Sequence, residues 1–177
     1  AIMANVEHKV SLISGVHDLL PNRVGGAALQ KNLETLGDIQ YTQEEIDFAL
    51  ELQRNNGKPE IGIDGKIRPL RETLNSPGGG STDSGDVSYN VPVVSLAATT
   101  APKGVPWHSW SVVASSGMSI GHKGMLHAAK ALGMTMVDIF KDSKLRESIK
   151  KEFDEKIGEY EYDPYLDPGP PPIDYVD

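Results

Sequence analysis

The 177-residue chain contains no cysteine, which excludes disulfides, thiolate zinc sites and cysteine nucleophiles together. Any metal must then be held by His, Asp or Glu, donors suited to zinc, manganese or cobalt. Long apolar runs are missing too. No stretch approaches the roughly 18 residues that mark a membrane span, and the opening AIMANVEHKV lacks a basic region followed by an apolar core. These absences point to a cytoplasmic protein without a membrane partner. Positive charge is scarce: 17 Lys and Arg stand against 25 Asp and Glu, a formal net charge of −8. With no basic stripe to follow a phosphate backbone, nucleic acid is not an expected partner.

What is present is enough apolar content, 38%, to bury one core. Val6, His8, Val10 and Leu12 alternate with Glu7, Lys9 and Ser11, the period of a strand. GVHDLLPNR at Gly15 to Arg23 reads as a second extended piece ending at a Pro-Asn turn. Helical spacing follows in Ala27 to Leu36, stopped at Gly37. Thr42 with Glu45 makes a capping-box pattern for a helix carrying Ile46, Ala49, Leu50 and Gln53 on one face and ending at Asn55 to Gly57. Lys58 to Gly80 has no clean period and reads as a long connection. Val91 to Ala98, VPVVSLAA, suits a buried strand with Pro92 at its start. Ser119 to Asp142 predicts a long, largely buried helix capped by Ser119, and Ser143 to Ile157 a charged amphipathic helix ended by Gly158.

Five histidines carry most of the chemical options. His8, on a strand, and His17, before a turn, read as structural, and His127 as a packed or solvated helical residue. His122 lies in the first turn of the long helix, where free amides and the positive dipole end favour anions, so with Lys123 it can hold a substrate carboxylate. His108 sits on a loop between Trp107 and Trp110 after an apolar run, where active-site residues of α/β proteins gather. It has no HExxH partner. Asp83 and Asp86 can form a ligand pair, a turn or a helix cap, the last two being commoner for this spacing. GGGS at Gly78 to Ser81 lacks the Gly-Lys-Ser/Thr ending of a phosphate loop.

Three blocks, LLPNRVGGAALQKNLETLG with YTQEEIDFALELQ, GGGSTDSGDVSYNVP, and PWHSW followed by SIGHKGMLHAAKA, resemble in order and spacing the C-terminal part of the aminobenzoyl-glutamate utilization protein B family. That family consists of amidohydrolases within the aminoacylase and glutamate-carboxypeptidase superfamily of dinuclear metallopeptidases. The likeness covers most of Gly15 to Phe140. It implies that His108, following a Pro and one apolar residue, is the last metal ligand, and that Ser81 and Asp83 fall in a substrate-pocket segment. Thr82 and Ser84 stand where many relatives carry Glu and Phe, which weakens a catalytic role for Asp83. The family's His-x-Asp segment, bridging Asp and paired-Glu base have no counterpart here, since Glu44-Glu45 belongs to a helix cap.

The resemblance therefore implies an incomplete α/β catalytic domain with a mixed sheet flanked by helices. Residues 1–20 would close a lid or dimerisation domain, 21–158 would form the C-terminal part of the catalytic domain, and 159–177 an acidic, Pro-rich tail. The complete enzyme would use two divalent ions, zinc or manganese, to cleave an amide in a p-aminobenzoyl-glutamate-like substrate. This chain would supply the metal ligand His108 and, from His122, Lys123, Ser81 and Asp83, part of the substrate pocket, with no catalytic acid or base of its own. It would work as a homo-oligomer or dimer, or with the missing half. The alternative is a non-catalytic relative that binds a carboxylate ligand or a partner.

Overall fold

The computed structural model describes residues 2–10, 12–71, 80–166 and 169–170. Ser11 of the first expected strand, Gly78 and Gly79 of the GGGS run, and much of the Pro-rich tail lie outside them. After a 3-10 turn at Ile2–Ala4 come α1 (Arg23–Leu36), α2 (Gln43–Asn55), α3 (Ser84–Ser88), α4 (Trp110–Ser116), α5 (Ser119–Lys141) and α6 (Ser143–Ile157). Helix accounts for 50% of the structure and strand for 1%, with no sheet among the described residues.

The expected mixed α/β sheet is thus corrected to a helical packing. Val6 to Val10 form no strand, and Val6 and Val10 lie exposed. Val91 to Ala98 contributes only one isolated parallel bridge, Val93 to Pro21. The reason is physical. Alternation shows which side chains could share a face, but a strand exists only when a neighbour about 4.8 Å away takes its N–H and C=O groups.

Helix ends follow local chemistry. Asn22 caps α1 by accepting from the Gly25 amide, which starts the helix earlier than the Ala27 expected from apolar spacing. Thr42 and Glu45 form the capping box on α2. Asp142 accepts from the Lys144 and Leu145 amides at the start of α6, and Gly158 ends it at positive φ. On α5 the cap position is Met118 rather than Ser119.

α5 packs against α1, α4 and α6, and α1 also against α6. Leu29, Ala49, Leu52, Ile120, Ala131 and Ile149 form the apolar core. Polar ties fix the register. Asn32 on α1 donates to Thr135 Oγ1 at 3.0 Å and Asp138 Oδ2 at 2.8 Å on α5. Glu152 on α6 accepts from the Arg23 and Val24 amides at 2.8 and 2.7 Å, placing a carboxylate at the positive end of α1. Burial pushes the Glu152 carboxyl up, but its bonds from Lys156, Val24 and Arg23 outweigh this and hold it below the usual range. The prediction of a largely buried α5 needs correction as well: Leu126, Leu132, Met136 and Phe140 are exposed.

Candidate functional site

The loop that carries His108 is rooted by α2. Gln53, fully buried, donates through Nε2 to the Gly62 carbonyl at 2.9 Å and the Lys103 carbonyl at 2.8 Å. Its Oε1 accepts from the Ile61 and Gly62 amides at 2.9 and 2.8 Å. One side-chain amide thereby uses its whole bonding capacity to brace two loops. Three residues further along, Asn56 donates to Ser111 Oγ at 2.6 Å, tying the end of α2 to α4. Sequence spacing places Gln53 on the inner face of α2 without disclosing its purpose. An amide among apolar inner positions is the available signal.

Beyond this root, Val105 is buried while Trp107, His108 and Trp110 are exposed. His108 has φ 60, a left-handed backbone that costs a non-Gly residue of order 1–3 kcal/mol and concentrates at functional sites. Its imidazole stands in solvent at the turn into α4.

Asp83 and Asp86 diverge. Asp83 is exposed at the start of α3 without a side-chain cap bond, and Thr82 Oγ1 accepts from the Ser84 amide instead. Ser81 is exposed beside it. Asp86 turns to His17: its Oδ1 accepts from His17 Nδ1 at 2.8 Å and from Tyr162 Oη at 3.1 Å. The His17 hydrogen bond, acting against burial and aided by Tyr162, holds the Asp86 carboxyl below its ordinary range. His17 Nε2 meets Tyr160 Oη at 2.8 Å, and its ring stacks on Tyr165 at 4.5 Å. The tail thus folds back over residue 17, a junction that the sequence does not disclose.

At the start of α5, His122 is exposed. Lys123 turns inward: its ammonium donates to Glu45 Oε2 at 2.6 Å and the Gln40 carbonyl at 2.9 Å, and lies over the Tyr41 ring. Burial raises the Glu45 carboxyl, but hydrogen bonds from Lys123, Ser119 and the Thr42 backbone bring it down to about 2. Burial, followed by the Glu45 and Asp64 charges, pushes the Tyr41 hydroxyl up to about 12. The two glycines of GHKG have a packing reason: a Cβ at Gly121 would overlap the Ser116 carbonyl, and one at Gly124 the Thr99 carbonyl. His127, further along, bonds the Gly37 carbonyl at 2.8 Å and so closes the end of α1.

Beside the His108 loop opens a cleft of about 750 Å³, with Trp107 at its edge, α1 side chains such as Leu29 and Leu33 on its floor, and the segments 64–71 and 93–105 as walls. Among the described residues, no three His, Asp or Glu side chains come together as a metal-ion site. His108 alone is short of the three protein ligands of a catalytic zinc, so the described residues do not complete a dinuclear centre by themselves.

Among the described residues, then, the site consists of an exposed histidine in left-handed backbone beside an open cleft, without a complete metal-ion centre. The chain is related to a named component of the p-aminobenzoyl-glutamate hydrolase of Escherichia coli (strain K12), with 34% identity over 157 residues, in agreement with the family resemblance of its motifs. The match covers 75% of this chain and 33% of the relative, so the chain spans about a third of that protein's length. No family model and no solved structure matches it. Among the described residues no helix is long and apolar enough to cross a membrane.

Proposed function

We propose that the chain is a working portion of an amidohydrolase that cleaves the amide of p-aminobenzoyl-glutamate-like substrates in assembly with further polypeptide. The observation that carries this reading is His108: an exposed imidazole held in left-handed backbone between two tryptophans, in a chain related to a component of a hydrolase of that name. His108 offers one ring nitrogen to a divalent ion, zinc or manganese, whose remaining ligands come from outside the described residues. Ser81, Asp83 and His122, all exposed, remain available for substrate. Lys123 acts at one remove, anchoring the start of α5 through Glu45.

The test is a chimera in which this chain replaces the matching third of the Escherichia coli relative, assayed for release of p-aminobenzoate. Activity in the chimera, lost at least a hundredfold in His108→Ala with the fold intact by circular dichroism, is the expected result. An active chimera indifferent to His108→Ala would remove the histidine from the centre. The 177-residue chain alone is expected to show no metal-dependent turnover; measurable turnover would overturn the reading of a partial unit.

A further inference from the structure

A residue other than glycine keeps a left-handed backbone only where its surroundings over-determine it. At His108 the side chain itself is exposed, so the constraint has to come from the chain on either side. Upstream, Lys103 has both backbone groups engaged: its N–H donates to the Gly62 carbonyl at 3.3 Å, and its carbonyl accepts from Gln53 Nε2 at 2.8 Å. Val105, two residues on, is buried. Downstream, the fully buried Ser111 accepts through Oγ from Asn56 Nδ2 at 2.6 Å. Between these ties, Ser109 Oγ donates to the Pro106 carbonyl at 2.5 Å.

Both outer ties come from the end of one helix. Gln53 and Asn56 stand three apart, neighbours on the surface of the last turn of α2. Asn56 is itself fixed there: its Nδ2 donates to the Leu52 carbonyl at 2.6 Å, and its backbone N–H to the Leu52 and Gln53 carbonyls at 3.2 and 3.1 Å. The span 104–110 therefore has both ends set by a single rigid body. A short span with fixed ends has few backbone solutions, and this one places Gly104 at φ 79 and His108 at φ 60. Glycine adopts positive φ freely, whereas histidine does not. Release of either end lets His108 relax to negative φ, which swings the imidazole, and a displacement of about 1 Å at a reacting group can cost roughly a hundredfold in rate.

We infer that Gln53 and Asn56 are positioning residues for His108, the two jaws of one brace that keeps its imidazole aimed at the ion. The catalytic consequence rests on the reading of His108 as a metal ligand; the bracing itself does not. Freeing one end already frees the loop, so the two ties are coupled, and breaking the second adds little to breaking the first.

The test uses Gln53→Glu and Ser111→Ala. A carboxylate in place of the Gln53 amide still accepts from the Ile61 and Gly62 amides but has no N–H for the Lys103 carbonyl. Ser111→Ala removes the acceptor of Asn56 and leaves its Leu52 bond; as the milder change, it carries the test by itself if the buried carboxylate prevents folding. In the 177-residue chain the readout is the NOE between the His108 amide proton and its own Hα, strong at φ 60 because the two protons lie close, and expected to weaken in both variants. In the chimera with the Escherichia coli relative, each variant is expected to lose about tenfold or more in kcat with KM near the parent value, and the double variant no more than about threefold beyond the stronger single one. Ile149→Val, which loosens the core at α6, is expected to change neither NOE nor kcat. An unchanged NOE in the variants would overturn the brace. A weakened NOE with unchanged kcat, in a chimera that needs His108, would overturn the positioning role, and so would a rise in KM alone, which would move the effect of α2 to substrate binding. A chimera indifferent to His108→Ala defeats the ligand reading instead, and the NOE then decides the brace.

Discussion

His108 and Gln53 show two opposite uses of a single residue. His108 is held in a conformation that costs free energy while the residue itself stands exposed, and Gln53 satisfies four backbone groups from one buried position. The strain at His108 is measurable. His108→Gly should raise the unfolding free energy by about 1 kcal/mol, because Gly adopts positive φ freely, while His108→Ala should stay near the parent value; equal urea midpoints for all three chains would show that the backbone there is unstrained. For Gln53→Leu the expectation is reversed. The buried Gly62 amide loses its acceptor, and the Ile61 amide keeps only the Pro59 carbonyl, so stability should fall by about 1–3 kcal/mol, and amide exchange should quicken at Gly62. At this scale the sequence made His108 conspicuous through its neighbours Pro106, Trp107 and Trp110. It could not announce Gln53 or His17, whose roles depend on groups brought from residues 61–62 and 103 and from residues 86 and 160–165.

Helices were legible where their signals are local. The capping box of α2 and the glycine stop of α6 are written within a few residues of where they act. α3 and α4 were not read, being only five and seven residues long, too short for a periodic pattern. The meeting of α2 and α5 gives a pH prediction. Glu45 titrates near 2 in the folded chain against about 4.3 in an unfolded one, so its ionised form stabilises the fold fully above the unfolded value. That contribution is lost as pH falls from about 4.5 towards 2. Urea denaturation at intervals across this window should show the parent losing stability more steeply than Glu45→Gln; parallel curves would mean that the Lys123 bond has no net effect on folding.

For the whole molecule, the sequence conveyed helical segments and an apolar content sufficient for a core, but misjudged how that apolar content is arranged. Val91 to Ala98 has strand composition yet, among the described residues, finds only Pro21 to pair with, and the long α5 leaves Leu132, Met136 and Phe140 in solvent. Both results have one cause: composition records what a segment can bury, whereas burial requires a facing surface, and that surface is a property of the assembled chain. The clasp of His17 by Tyr160 spans 143 residues. During synthesis at about 5–20 residues per second, the earlier partner therefore waits roughly 7–30 s for the later one to be made. Once Asp86 has been made, 69 residues after His17, the imidazole and the Asp86 carboxylate can pair with each other but still lack their tyrosine cover, so a nascent chain holds this junction open until α6 has been built.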